Sequence, residues 1–171
     1  MDGSSGKIYT DLLLGCFRRA YAREYHTEID NFIHQESSVK GYTSNGVKYY
    51  ADWNTLSGSS VTSIRNTLAN AFTHYLAFRL SGQNATYSWT KLGIYGGDDG
   101  ITADLDPQRI NDTFAKLGML SKSEKVEQHN YVPFLGRIYI NPWVNDVSFI
   151  DVARQLKKLH LSSSPNCVPV S

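Results

Sequence analysis

The segment Gly96-Gly97-Asp98-Asp99-Gly100 places two adjacent carboxylates on a glycine turn, with Ile94-Tyr95 before it and Ile101 after it. Short apolar segments on either side of a Gly/Asp turn predict a β-hairpin, and the glycines leave space for another backbone or a phosphate to approach the acids. Adjacent acids repel each other unless cations neutralise them. Hard oxygen donors of this kind suit Mg²⁺ or Mn²⁺ in phosphoryl transfer. A solvated Asp-Asp-Gly turn has the same sequence, so the turn alone leaves both readings open.

A second group of residues precedes it. Ser57-Gly58-Ser59-Ser60-Val61-Thr62 opens a run through Leu80 in which Ile64, Leu68, Ala71, Phe72 and Tyr75 recur at helical spacing, which predicts a helix with that face in the core. Thr62, Asn66, Asn70 and Thr73 form an uncharged polar stripe on the other side. Solvent faces usually carry Glu, Lys and Arg, so the stripe is a candidate ligand-facing surface as well as a candidate solvent face.

The elements around these residues alternate between α and β. Lys7 to Tyr25 reads as a helix with Ile8, Leu12, Cys16 and Ala20 on one side and Leu13, Phe17 and Tyr21 beside them, suited to packing under a sheet. Val39 to Tyr50 carries Asn45-Gly46 between β-prone segments, the signature of a hairpin with a type I′ turn. Tyr87 to Tyr95 and Ile101 to Ala103 read as the strands of the Asp-Asp hairpin. Pro107 opens a helix through Leu117, Val132 to Ile140 reads as strand, and Arg154 to Leu159 as helix. Ser162-Ser163-Ser164-Pro165 reads as a linker or frayed end.

Composition bounds the class. A chain of 171 residues, 41% hydrophobic and 19% charged, can bury one sizeable core. The formal net charge of +1 argues against a stand-alone basic nucleic-acid-binding module and for basic residues placed locally around an acidic centre. Cys16 and Cys167 lack metal-ligand spacing and read as reduced thiols of a cytosolic protein. The five histidines, including His74 and His160, also lack ligand spacing and read as packing or surface residues. No apolar run approaches the ~20 residues that span a bilayer.

Ser57-Gly58, Thr62 and Asn66-Thr67, followed by Gly97-Asp98-Asp99, resemble motifs B and C of the RNA-directed RNA polymerases of positive-strand RNA viruses. Phe114-Ala115-Lys116-Leu117-Gly118-Met119 with Lys122 and Lys125 is similar to motif D, and Phe134-Leu135-Gly136-Arg137 to motif E. Met1-Asp2-Gly3-Ser4 resembles the tail of motif A. Phe134 through Trp143 and Gln155 through His160 look most like nodavirus-like polymerases. The resemblance covers nearly the whole chain. It implies an α+β fold, the palm subdomain of a right-hand polymerase (an antiparallel sheet with packed helices and an RRM-like core), over residues 1–140, with the start of the thumb over 141–171. It also implies that the first motif A aspartate lies upstream of Met1, that fingers and most of the thumb lie elsewhere, and that this segment alone is inactive.

The same resemblance implies template-directed nucleotidyl transfer with two Mg²⁺ or Mn²⁺ ions, and it assigns roles. Asp98 is a metal ligand, and Asp99 a ligand of the second ion or a support of the primer end. Asp2 and Asn66 read the ribose 2′-hydroxyl with support from Thr62, and Ser57 and Gly58 contact nucleotide or template, with simple N-capping as the alternative for that loop. A site arranged around a hydroxyl rejects an analogue that lacks it, because buried polar groups are then left unpaired. Lys125, by its spacing after Gly118, is the candidate general acid for pyrophosphate, with Lys122 as competitor and a solvated loop lysine as the plain alternative. Gly97, Phe134 and Arg137 would meet the primer strand, Arg137 either through phosphate or by pairing with a palm carboxylate. Implied partners are an RNA template, a primer or nascent strand, ribonucleoside triphosphates, the remaining polymerase and further copies of it. The implied setting is a membrane-associated replication complex in host cytoplasm. A non-catalytic RNA-binding scaffold and a reverse transcriptase are the rival classes. Asn66 speaks against the second, which must exclude the 2′-hydroxyl with a bulky side chain.

Overall fold

A computed structural model describes residues 6–36, 38–52, 61–126, 131–141 and 144–158. The chain divides into two compact units, one ending at Glu124 and the other beginning at Lys125.

The first unit is built on helices. α1 (Lys7–Ala20) ends where Tyr21 turns extended, five residues earlier than the periodicity predicts. A short 3₁₀ turn (Arg23–Tyr25) then leads into α2 (His26–Glu36), a helix that the sequence pattern did not predict. α1 packs against α2 and against α3 (Thr62–Leu80), so its partners are helices rather than the expected sheet. Its buried residues are Tyr9, Thr10, Leu13 and Leu14, while Ile8 is exposed. Two apolar clusters result. Leu13, Leu14, Ile33 and Val61 form one, with Leu68 against it; Tyr9, Ala69, Ile110, Phe114 and Met119 form the other, with Phe72 against it.

β1 (Ser38–Tyr42) and β2 (Lys48–Asp52) make the expected hairpin, with Tyr42 opposite Lys48. Its turn is not type I′. Only Gly46 has positive φ, at 78°, and its N–H donates to the Thr43 carbonyl, so a turn over Thr43–Gly46 closes with the glycine left-handed. α4 (Ala85–Thr90) replaces the first half of the strand predicted from Tyr87 to Tyr95: the Asn84 side chain accepts the Tyr87 N–H at 2.8 Å and caps a helical turn, overriding the β preference of its aromatic residues. The strand shrinks to β3 (Ile94–Gly96), paired with β4 (Asp99–Ile101). α5 (Pro107–Lys116) begins as predicted, with Asp106 as cap and Pro107 in its first turn.

The second unit holds β5 (Tyr131–Phe134), β6 (Arg137–Ile140) and β7 (Ser148–Ile150) in one antiparallel sheet, followed by α6 (Val152–Lys158). The single strand predicted from Val132 to Ile140 is therefore a hairpin. Leu135 and Gly136 take φ of 48° and 77° at its two-residue turn, the arrangement of type I′. Mixed helices with small antiparallel sheets fit the α+β class. Among the described residues the pairing falls into sheets of two, two and three strands rather than one continuous sheet.

Candidate functional site

The two carboxylates sit at the tip of the β3–β4 hairpin. Gly96 pairs with Asp99, leaving Gly97 and Asp98 as the two-residue turn. Gly97 has φ of 65°, and nothing lies within 4 Å of where a Cβ would stand, so glycine is required here by backbone conformation and not by crowding. With positive φ at the first central residue only, the turn has the type II′ arrangement, whose twist suits a tight hairpin. Asp98 and Asp99 are both exposed.

What fixes this tip is the polar stripe of α3, and here the structure corrects the sequence pattern. Arg65, Asn66, Ala69, Asn70, Thr73, His74, Ala77 and Phe78 are the buried residues of α3, while Ile64, predicted to be core, is 43% exposed. Asn70 of the stripe is buried against the hairpin backbone, and Thr73 against the Ala69 carbonyl and the Tyr9 hydroxyl. Asn70, 2% exposed, directs its side-chain amide nitrogen at the carbonyls of Asp98 (3.0 Å), Asp99 (3.1 Å) and Gly97 (3.4 Å). Three acceptors around one atom require the NH₂ end of the amide there. Thr67 donates its hydroxyl to the Ser63 carbonyl at 2.8 Å, which aims its oxygen lone pairs outward, and that oxygen accepts the Gly97 N–H at 2.8 Å. α3 thus holds both a donor and the acceptors of the turn. Gly100 completes the fit, since a Cβ there would stand 3.2 Å from the Asn70 amide nitrogen and 2.8 Å from the Tyr95 ring.

A further layer supports the clamp. The Asn70 carbonyl accepts from His74 Nδ1 at 2.9 Å, which leaves Nε2 as the unprotonated nitrogen of a neutral ring. Burial holds the His74 pKa below its ordinary value of 6.5. The imidazole lies 5.0 Å from the Tyr95 ring and 5.7 Å from Phe114. Burial also raises the Tyr95 phenol, which bonds Thr102 at 2.9 Å and accepts the Gly93 N–H. On the α1 side, Arg65 donates to Thr10 at 2.8 Å. His74 is a packing residue, as expected; His160 lies outside the described residues.

Of the other predicted site residues, Asn66 is 5% exposed and Thr62 half-buried, one turn apart on α3. Asp2, Ser57 and Gly58 lie outside the described residues. Lys122 is exposed and paired with Glu124 at 2.6 Å, which raises the lysine pKa and lowers that of the acid. Lys125 is exposed and begins the second unit. In that unit Phe134 and Arg137 flank the type I′ turn. The Arg137 Nε donates to Ser148 Oγ at 2.8 Å and a terminal nitrogen to the Ser148 carbonyl at 3.0 Å, tying β6 to β7. Thr67 and Asn70 are the functional positions that spacing missed as supports of the turn. Their signal was present, as short polar side chains on the helix that precedes an Asp-Asp hairpin.

Asp98 and Asp99 offer hard oxygen donors of the kind Mg²⁺ or Mn²⁺ takes. Among the described residues no group of three or more His, Cys, Asp or Glu side chains is gathered to hold a metal, so the donor chemistry fits but further ligands must come from outside them. Among those residues, too, no helix is long and apolar enough to cross a membrane.

The site is an exposed carboxylate pair on a hairpin tip, pinned by a polar helix that precedes it in the chain, and proteins to which the chain is similar are polymerases. The chain is 36% identical to the RNA-directed RNA polymerase of Pieris rapae virus over 170 residues, which is 97% of this chain and 17% of that protein. It is 34% identical to the polymerase of Atlantic halibut nervous necrosis virus over 84% of its length, and 30% identical to that of Pariacoto virus over 98%. These matches span 15% and 18% of the two relatives. No family model matches the chain. The chain belongs to the nodavirus-type RNA-directed RNA polymerases and corresponds to a segment of them.

Proposed function

We propose that the complete protein carries out template-directed RNA synthesis in viral genome replication, joining ribonucleoside triphosphates to an RNA 3′ end, and that residues 1–140 are its palm and 141–171 the start of its thumb. The observation that supports this most is the exposed Asp98-Asp99 tip held by Asn70 and Thr67 of the helix that also carries Thr62 and Asn66.

In this reading Asp98 and Asp99 would hold divalent cations, Mg²⁺ or Mn²⁺, together with ligands from elsewhere in the polymerase. Two such ions, when bound, stabilise the attacking 3′-oxygen and the leaving pyrophosphate. The chain's own contribution is placement. Pinning the turn backbone at three carbonyls and one N–H fixes the origin of both carboxylates before substrate arrives, so less reorganisation is needed at the moment of reaction. Asn66, with Asp2 and Thr62, reads the ribose 2′-hydroxyl, while Ser57 and Gly58 meet template or nucleotide. Lys125 protonates the leaving pyrophosphate. Gly97, Phe134 and Arg137 contact the primer strand, Arg137 from a guanidinium already braced by Ser148. The setting is a replication complex in host cytoplasm, and this segment by itself binds RNA weakly and does not polymerise.

The test is primer extension by the complete polymerase carrying Asp98→Ala. The exposed side chain contributes no core packing, so folding and RNA affinity should stay near wild type while nucleotide addition is lost. Near-normal extension by the folded variant would remove Asp98 from the metal site. Incorporation of deoxyribonucleotides in preference to ribonucleotides by the unaltered protein would overturn the substrate assignment.

A further inference from the structure

The β1–β2 hairpin presents one face that core packing does not use. Its register puts Lys40 opposite Tyr50 and Tyr42 opposite Lys48, so these four side chains share one face of the ribbon. All four are exposed, Tyr42 at 67% and Tyr50 at 71%. Val39 and Gly41, on the other face, are half-buried, and Tyr49 lies so close over Gly41 that a Cβ there would overlap its ring. The face of Lys40, Tyr42, Lys48 and Tyr50 is thus the more open of the two, although Tyr49 on the other is itself 45% exposed.

The more open face is a ladder of alternating cation and aromatic ring. Lys40 Nζ stands 5.7 Å from the Tyr50 ring centroid, and Lys48 Nζ stands 5.8 Å from that of Tyr42. Each ammonium is thus held beside a ring. From Ser38 to Ala51 the sequence contains no acid, in a chain whose formal net charge is only +1. Two tyrosines so exposed are costly as packing and useful as stacking platforms, and a lysine opposite each supplies the positive charge that a nucleic-acid backbone needs.

We propose that this face binds single-stranded RNA, two unpaired bases stacking on Tyr42 and Tyr50 while Lys40 and Lys48 meet the adjoining phosphates. The assignment rests on the polymerase reading for the identity of the strand and adds a contact site outside the Asp-Asp hairpin. A duplex, whose bases are already stacked, gains only the phosphate contacts.

The experiment measures affinity of the complete polymerase for a fluorescent single-stranded oligoribonucleotide and for a duplex of the same length, across a salt series and without nucleotides. Tyr42→Ala/Tyr50→Ala should weaken single-strand binding by roughly 30-fold or more, at about 1 kcal/mol or more for each of two stacked bases, and leave duplex binding nearly unchanged. Tyr42→Phe/Tyr50→Phe keeps the rings and should stay within about twofold of wild type. Lys40→Gln/Lys48→Gln should lower the salt slope of single-strand binding by about 1.4, the value for two phosphates. Melting temperature checks that each variant is folded, and the lysine pair keeps the test alive if the alanine pair is not. Unchanged single-strand affinity and salt slope would overturn the proposal and mean that the rest of the polymerase covers this face. If the affinity changes appear while the unaltered protein copies no RNA, the polymerase reading fails and the binding face stands.

Discussion

Replacing Asn70 tests the clamp most sharply, because its side chain makes contacts that two substitutions alter in opposite ways. Asn70→Leu keeps the volume and removes the donor, leaving the carbonyls of Asp98 and Asp99 without the bonds made at 3.0 and 3.1 Å. The amide has two hydrogens, so two good bonds are lost; the 3.4 Å contact to Gly97 adds little. The acceptors are part-buried, which puts the cost near the low end of the 1–3 kcal/mol range for a stranded group, about 2–3 kcal/mol in total. For a chain of this size that is a fall in Tm of roughly 4–12 °C. Asn70→Asp has the same shape but aims a carboxylate at carbonyl oxygens. An unpaired buried charge costs roughly 3–5 kcal/mol, so this variant should be the less stable at neutral pH. Its folded pKa would be raised above the unfolded value of about 3.9, since desolvation and the carbonyl dipoles both disfavour the anion. The charge penalty is then absent below the unfolded pKa and complete above the folded one, so acidification narrows the gap to Asn70→Leu. Thermal melting of the purified chain between pH 5 and 8, with hydrogen exchange at the Tyr95 to Gly100 amides, measures both effects. An Asn70→Asp variant as stable as wild type at pH 8, or unaltered exchange at the turn, would refute the clamp.

The remaining expectations concern neighbouring groups. Burial depresses the His74 pKa, so its contribution to stability is present above the unfolded pKa near 6.5 and is lost as pH falls through the folded value; urea midpoints from pH 7 to 5 should drop less steeply in His74→Phe than in wild type, and equal slopes would exclude this histidine as the source. Asn66→Ala in the complete polymerase should reduce the ribo-to-deoxyribonucleotide ratio of kcat/KM by roughly one to two powers of ten. Because Asn66 is buried, a lower Tm is expected as well, and an unchanged ratio would leave it with packing alone. Lys125→Ala should slow single-turnover chemistry and shift its pH profile, whereas Lys122→Ala, whose ammonium is taken up by Glu124, should change little; the reverse result would exchange their roles.

Local rules were legible wherever a short stretch of backbone settles its own structure. Asp106-Pro107 started α5, Asn45-Gly46 placed the β1–β2 hairpin, and Gly96-Gly97-Asp98-Asp99-Gly100 placed the turn that carries the acids. The same rules failed where capping competed with side-chain preference, as at Asn84, whose bond to the Tyr87 N–H made helix out of residues that read as strand. They failed again at Leu135-Gly136, where an apolar residue at positive φ hid a turn inside a β-like run.

By itself the sequence determined the chemistry on offer: adjacent carboxylates on glycine, a helix with an uncharged polar stripe before them, and motif spacing that resembles one polymerase family. Which way that stripe faces was a tertiary decision. Hydrophobic periodicity assumes that polar groups seek water, and Asn70, Thr73 and His74 defy it because partners inside the unit, from the turn backbone to α3's own carbonyls, meet their hydrogen-bonding needs. The turn partner of Asn70 lies 29 positions away and Tyr9, which bonds Thr73, lies 64 away, both beyond any local window. Only the packed structure shows that Asn70 and Thr67 of this helix grip the turn by which the carboxylates are presented.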